Sequence, residues 1–536
     1  MNNPTPANPA MTDTLLFEHF ATLATAPDGI ARLRELILQF AVRGKLGTQD
    51  AGDEPAGKLS CKILEEKKRL IKKGEISKSR ALPKIESEEI PFQVPKNWIW
   101  LRLEDIGYNC GQKVPDKIFT YIDVTAINKE KGLIGDDVNV LQPNEAPSRA
   151  RKLVKNGTVI YSTVRPYLLN IAIVDKDFNP EPIVSTAFAV VHPFEGISNR
   201  YLFYYLRSKP FVEYVESQMT GMAYPAINDQ KFHVGLIPVP PTAEQHRIVA
   251  KVDRLMALCD ELEARQQQER AGCLKLGTAS LASLQNAESP VAFERQWAQV
   301  FTAFTLICDC PENIEILRQT ILNLAVQGRL TEGWHETGIL KRWKSVTLNQ
   351  VTRCRLGKML DKAKNQGMLT PYLRNTNVRW FGFDLSDIKN IKATDNEREE
   401  LSLQHGDVLI CEGGEPGRCA IWKGPEKKYI FQKALHRVRV GDQLLPEWLC
   451  FCLKDAMNSG RLSEQFTGST IKHLTGVSLK QFLFPLPPLA EQHRIVAKVD
   501  ALMALCDALE LRLKERATIQ SKFADAVVKS IGLGVI

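Results

Sequence analysis

The chain has 536 residues, too many for one ordinary hydrophobic core, so two or more domains are expected. Hydrophobic residues at 44% and charged residues at 25% are those of a soluble globular protein, and a formal charge of +8 permits a polyanionic partner without requiring one. No apolar run reaches the roughly 18 residues of a membrane span, which excludes a helical membrane protein and points to the cytoplasm.

The N-terminus, MNNPTPANPAMTDT, is polar and proline-rich and lacks the charged-then-apolar pattern of a signal peptide. It reads as a flexible leader over residues 1–32, with Met11 a second candidate start beside Met1. A short helix follows, LRELILQFAVRGKL from Leu33 to Leu46. From Lys58 to Arg80 there are nine Lys/Arg and three Glu, a net +6. Such a run is usually a solvated face; the alternative is an arm lying along a phosphate backbone. Together these form a helical linker region, 33–97.

Residues 98–240 mix short strands and helices. NWIWLRLEDI opens the segment from Asn97 and NGTVIYSTVRPYLLNIAIV supplies a Gly-led apolar strand from Asn156. YLFYYLRSK is a helix, and Thr220-Gly221 a turn before Pro240-Pro241. At Ala243 the chain enters AEQHRIVAKVDRLMALCDELE. Thr242 and Gln245 fit a capping box. Ile248, Val252, Leu255, Cys259 and Leu262 recur at steps of four and three, a stripe widened by Val249 and Met256 that suits burial against another helix. Gly272, Gly277 and the segment around Pro290 interrupt the pattern, so the helix is expected over Ala243–Arg270 within a central helical region, 241–340.

The chain then repeats itself. LRQTILNLAVQGRL, from Leu317, matches the first short helix at 8 of 14 positions. RWKSVTLNQV, HGDVLICEGGEPGRCAIW, WLCFCLKDA, Thr467-Gly468 and Pro487-Pro488 restate the frame of the mixed segment over 341–487. In the final helical region, 488–536, AEQHRIVAKVDALMALCDALE matches the long helix at 19 of 21 positions. The fold class is therefore α+β, in two tandem units.

The stripe explains the apolar identities but not Glu244, Gln245, His246, Arg247, Lys251, Asp253 and Asp260, which return as Glu491, Gln492, His493, Arg494, Lys498, Asp500 and Asp507. Either the duplication is recent, or one outward face is presented twice to two copies of one partner; the second reading is preferred. His246 and His493 sit in first turns without an acid–base constellation, so contact rather than catalysis is expected of them. The loops are not repeated: Ser162–Tyr167 stands where the second segment has Glu412–Arg418. The twelve cysteines include no Cys-x-x-Cys, so they read as core thiols of a reducing compartment and no metal site is expected.

The PxPPxAEQHRIVAKVD block at both copies, the LRxxILxxAVxGKL element and the TGST run from Thr467 resemble the specificity subunit of type I restriction–modification systems. The resemblance covers most of the chain. It implies two target recognition domains, each reading one half of an interrupted double-stranded DNA site. It also implies long antiparallel coiled-coil-like helices that dock two methyltransferase subunits and, through them, nuclease subunits. S-adenosylmethionine, ATP and Mg would then belong to the partners, with no cofactor on this chain. At roughly 1.5 Å per residue, a helix from Ala243 to Arg270 spans about 42 Å, roughly 12 base pairs.

Catalytic residues are not expected. The Pro-Pro pairs, Val239–Thr242 and Leu486–Leu489, lack the flanking residues of an adenine methyltransferase motif, and GGEPGR lacks the Lys-Ser/Thr of a P-loop. The rival readings are a self-contained restriction–methylation enzyme and a coiled-coil scaffold. Arginine engages guanine bidentately, Asn and Gln adenine, and carboxylates the cytosine amino group. The candidate DNA contacts in the first domain are Arg165 and Tyr167, with Lys113, Arg149, Arg151 and Lys152. In the second they are Arg418, with Glu412, Lys433, Arg437 and Lys472.

Overall fold

The computed structural model describes residues 23–46, 49–77, 82–136, 138–331, 343–361, 365–468 and 472–533. Most of the leader with both candidate starts, residues 78–80 of the basic stretch, Arg342 and Ser469-Thr470 lie outside the described residues. The chain divides into two compact units, Met1–Gln266 with Ala517–Ile536, and Gln267–Arg516.

In the first unit, the strand Ile99–Arg102 pairs antiparallel with Leu236–Val239, so the segment that opens the domain lies beside the one that leaves it. Between them a six-stranded and a four-stranded sheet enclose an apolar core of Ile, Val and Phe side chains. The helix Asn199–Arg207 is tied to the exit strand by Tyr201, whose hydroxyl donates to Pro238 O at 2.7 Å.

The second unit rebuilds this frame with different parts. Lys344–Thr347 pairs antiparallel with Leu483–Leu486. Trp448, on the helix Pro446–Asn458, takes the place of Tyr201 and donates its indole N–H to Pro485 O at 2.9 Å. Its sheets have four, three and two strands among the described residues.

The short helices are Gly29–Val42 and Pro311–Val326. Each is followed by a glycine in the left-handed region, Gly44 at φ 70° and Gly328 at φ 71°. The tryptophan that opens each mixed domain packs over that glycine. A Cβ would lie 3.2 Å from the Trp98 ring at Gly44 and 2.8 Å from the Trp343 ring at Gly328. The repeated glycine therefore allows both a helix stop and a close approach.

The long helices are Thr242–Gln285, 44 residues, and Leu489–Leu533, 45 residues. The expected stop before Gly272 is wrong, and the arithmetic built on a 28-residue helix falls with it; 44 residues is roughly 66 Å. Gly272 has open space around it, whereas Gly277 faces the Asn313 side chain 2.4 Å from its ideal Cβ position. Asn313 donates to Cys273 O and Ile307 O, so Gly277 is a notch that seats a neighbouring helix inside a continuous one. Within each unit the apolar stripe is buried as its spacing predicts: Ile248, Val252 and Cys259 in one core, Ile495, Val499 and Cys506 in the other.

The basic stretch is a helix, Ala56–Lys72, that buries Leu59, Ile63 and Leu70. Lys67 donates to Glu104 O at 3.1 Å, and the Glu66 carboxylate accepts from Glu195 N at 2.9 Å. Through Lys72 the run lies on a docked helix whose apolar residues face the core.

Candidate nucleic-acid interface and helix face

Four of the repeated polar residues are turned inward. Gln245 is fully buried. Its carbonyl oxygen accepts from Ser198 N at 2.8 Å, and its amide donates to Gly196 O at 3.2 Å and Pro240 O at 3.0 Å. Gln492 repeats the arrangement on Leu445 N, Gln443 O and Pro487 O, at 2.8, 2.8 and 2.9 Å. The capping box is thus corrected: Thr242 donates to Gly196 O, and the glutamine bolts the helix to its own domain. Glu244 is buried under the Trp98 indole, which donates at 2.9 Å; burial raises its pKa against these hydrogen bonds. Glu491, also buried, accepts from Thr331 and Arg494. These four are not available as partner contacts.

Asp260 and Asp507 are accounted for in the same way. Arg34 spans Asp260 and Glu263 at 2.6 and 2.8 Å; Arg318 spans Asp507 and Glu510 at the same distances. The next repeated acid breaks the symmetry. Asp253 receives Arg200 at 2.8 Å and the Tyr204 hydroxyl. At the matching positions the second unit has Glu447 and Phe451, and Asp500 borders a cavity of about 730 Å³ with Trp380 and Phe381. Burial and the Glu447 carboxylate raise the Asp500 pKa.

What remains outward is a smaller set. His246, Lys251, His493 and Lys498 are exposed in both copies. Arg247 pairs with Asp53 while Arg494 pairs with Glu491, so the two arginines have no common role within the chain. The sequence reading missed Leu258 and Leu505, which are 50% and 61% exposed. Their signal was available: both are leucines off the buried stripe.

In the first recognition domain, backbone hydrogen bonds bring the loops of Lys113, Arg149, Arg151 and Arg165 together. Lys113 N donates to Arg151 O at 2.9 Å, Thr186 N to Arg149 O at 2.8 Å, and Thr163 N to Ala187 O at 2.7 Å. Arg149, Arg165 and Tyr167 are exposed and Arg151 is half-buried. Arg165 holds a left-handed backbone, φ 48°, with its guanidinium 4.9 Å from the Tyr224 ring centre. Lys113 is held by Glu181 and Asp116, which raise its pKa. Lys152 is excluded: it is buried, donates to Phe188 O and pairs with Asp229.

In the second domain, GGEPGR is the tight turn joining the strands Val408–Cys411 and Cys419–Ile421. Arg418 braces that turn through Glu415 at 2.6 Å and Asn375 O at 2.9 Å, and is corrected from base reader to brace. Arg437 is buried, donates to Glu400 O and Ser402 O, and has its pKa lowered by burial, so it too is excluded. Lys433 and Lys472 are exposed and Glu412 is half-buried, with its carbonyl accepting from Leu474 N at 2.8 Å. Among the described residues no group of His, Cys, Asp and Glu could hold a metal ion, and no helix is long and apolar enough to cross a membrane.

Two copies of one α+β frame, bolted alike to matched helices and furnished with unlike loops, define a two-headed recognition protein. The chain belongs to the family of the type I restriction modification DNA specificity domain, whose model matches residues 95–270 and 341–518. It is similar to the type I restriction enzyme EcoAI specificity subunit of Escherichia coli, 27% identical with 93% of each chain covered. The EcoEI specificity subunit of Escherichia coli is 25% identical, again over 93% of each chain. A solved structure concerned with complex assembly and conformational transition of the type I R-M system is similar over 82% of this chain and 99% of its own, at 25% identity and TM-score 0.54.

Proposed function

We propose that this chain is the DNA sequence-recognition subunit of a type I restriction–modification complex, reading one half of an interrupted site with each recognition domain. Two methyltransferase subunits dock on its repeated helices, with nuclease subunits joining through them. The carrying observation is the pairing of identical bolts with different loops: the frame is held constant while the surface that could meet bases changes.

On this reading the chain is non-catalytic. S-adenosylmethionine, ATP and Mg are bound by the partner subunits, and the complex works in the cytoplasm. Support comes from the missing methyltransferase and P-loop motifs. Purified chain incubated alone with S-adenosylmethionine and DNA should transfer no methyl groups.

His246, Lys251, Leu258 and their counterparts form the docking face, because they are repeated and turned outward. Arg165 is the first choice for base readout, and Arg165→Ala should relax one position of the site rather than weaken all sequences alike.

A methylome of the host with the gene intact and deleted tests the whole reading. Loss of methyladenine from one asymmetric, interrupted motif on both strands supports it. Identical methylomes from an expressed gene overturn it.

A further inference from the structure

The first recognition domain exposes apolar side chains where a folded domain gains nothing from them. Thr220 and Ala226 exchange two backbone hydrogen bonds of 2.9 Å and close a tip of five residues, Gly221 to Pro225. Gly221 has φ 98°, and a Cβ there would lie 3.0 Å from Tyr224 O, so the tip is tightly folded. Its base is fastened to the neighbouring loop, where Arg165 N donates to Pro225 O at 2.8 Å and Val164 bridges Ala226.

On this braced tip Met222 is 103% exposed and Tyr224 69%. The adjoining turn adds Tyr167 and Leu168, both exposed. Four large apolar side chains on two fastened loops are far from the scattered single leucines of an ordinary surface. Packing within the domain does not account for Met222.

Charge says what covers the tip. The guanidinium of Arg165 lies over the Tyr224 ring, and the loops hydrogen-bonded in series behind it carry Arg149 and Arg151. An apolar protein partner would leave this guanidinium desolvated, whereas a duplex offers stacked bases to the apolar tip and phosphates to the arginines. In the second domain the matching tip is closed by Thr467 and His473, with two bonds of 2.9 Å. By sequence the position matching Met222 is Ser469, so the methionine is particular to the first domain.

We infer that Met222 enters the first half-site as an apolar wedge between two stacked base pairs, with Tyr224 and Arg165 bracing it. The inference rests on the DNA-recognition reading above. Insertion of an apolar side chain unstacks a base step and kinks the duplex, and the local sequence sets how readily the step opens. The first domain then reads one step by deformability, in addition to any base edge read by Arg165.

The test uses the complex assembled with its methyltransferase partner and a duplex carrying the site found by methylome. 2-Aminopurine is placed in turn at every first-half position except the methylated adenine, with S-adenosylmethionine withheld. One step should brighten several-fold on binding. That signal should fall to the free-duplex level in Met222→Ala and persist in Met222→Leu, with alanine weakening binding about tenfold. Because Met222 touches no core, both variants should keep the native melting temperature and protection of the second half-site. If the first half-site is footprinted but no step brightens, or the signal is unchanged in Met222→Ala, the wedge is refuted and recognition stands. If no sequence-selective footprint forms, recognition itself falls.

Discussion

Replacing Gln492 by alanine separates an internal bolt from a partner contact. The substitution strips the partner from Pro487 O, which is buried, and from Leu445 N and Gln443 O, which are partly buried. A stranded buried group costs about 1–3 kcal/mol, and partly buried groups recover some of that from water. Contributions within one network do not simply add. A total of about 3 kcal/mol follows. For a unit of this size that lowers the melting temperature by roughly 6–12 °C. Gln245→Ala should do the same to the first unit, since its three bonds have the same pattern of burial. Thermal unfolding read by hydrogen exchange assigns each loss: Gln492→Ala should loosen peptides within Gln267–Arg516, and Gln245→Ala those of the other unit. Glutamate at either position should not rescue, because it can accept from the N–H but offers the two carbonyls no donor. A shift under 2 °C together with loss of methyltransferase binding would refute the bolt and restore the outward reading of these glutamines.

Gly272→Ala should stabilise the first long helix by about 0.5–1 kcal/mol, because its site is open and alanine restricts the unfolded chain. Gly277→Ala should instead destabilise the second unit by about 1–3 kcal/mol by colliding with Asn313, and equal effects in denaturant titrations would contradict the notch. Glu447→Arg should give Asp500 the cation that Asp253 has, raising stability by up to about 1 kcal/mol. It should also lower the Asp500 pKa followed by NMR; a lower melting temperature would count against the register. Acid should weaken the first unit through His192, whose pKa is lowered to about 4 by burial, with Lys155 adding to it. Between pH 6.5 and about 4 the unfolded chain binds a proton that the folded one refuses, so this contribution is complete above 6.5 and is lost as pH falls. His192→Gln should flatten that part of the stability curve; an unchanged slope would show that other groups set it.

The repeats, the α+β class and the buried stripe were legible because each is a periodicity or an identity carried by the chain itself. Ile248, Val252 and Cys259 fall where a stripe must. The helix end was not legible, because a glycine that stops a helix and one that seats a neighbour look alike in one dimension. Only Asn313, 36 residues beyond Gly277, distinguishes them. Site residues fared worst for the same reason. Arg418 and Arg437 have the chemistry to read a base, but Glu415, Asn375, Glu400 and Ser402 claim them within the fold. Arg149, Arg165 and Tyr167 remain because no such claimant reaches them among the described residues, and Met222 was passed over because methionine on a loop carries no motif.

The duplicated helix can now be divided by what each identity does. Gln245 and Gln492 are the same because each bolts a helix to its own domain, and Asp260 and Asp507 because each receives an arginine from a short helix. Intrachain packing sets those identities without any partner. It does not set His246 and His493, Lys251 and Lys498, or Leu258 and Leu505, which are exposed in both copies. An exposed leucine gains nothing from being a leucine in water. Asp253 and Asp500 keep their identity although their neighbours do not: Arg200 and Tyr204 on one side become Glu447 and Phe451 on the other. Within the repeated helix the buried stripe and the glutamine bolts are identical in both copies, and the two positions that differ, Arg254/Ala501 and Glu261/Ala508, are exposed, so outward position alone does not preserve identity. His246, Lys251 and their counterparts are among the exposed identities that intrachain packing leaves unexplained, and on the proposed reading each copy meets a methyltransferase subunit there.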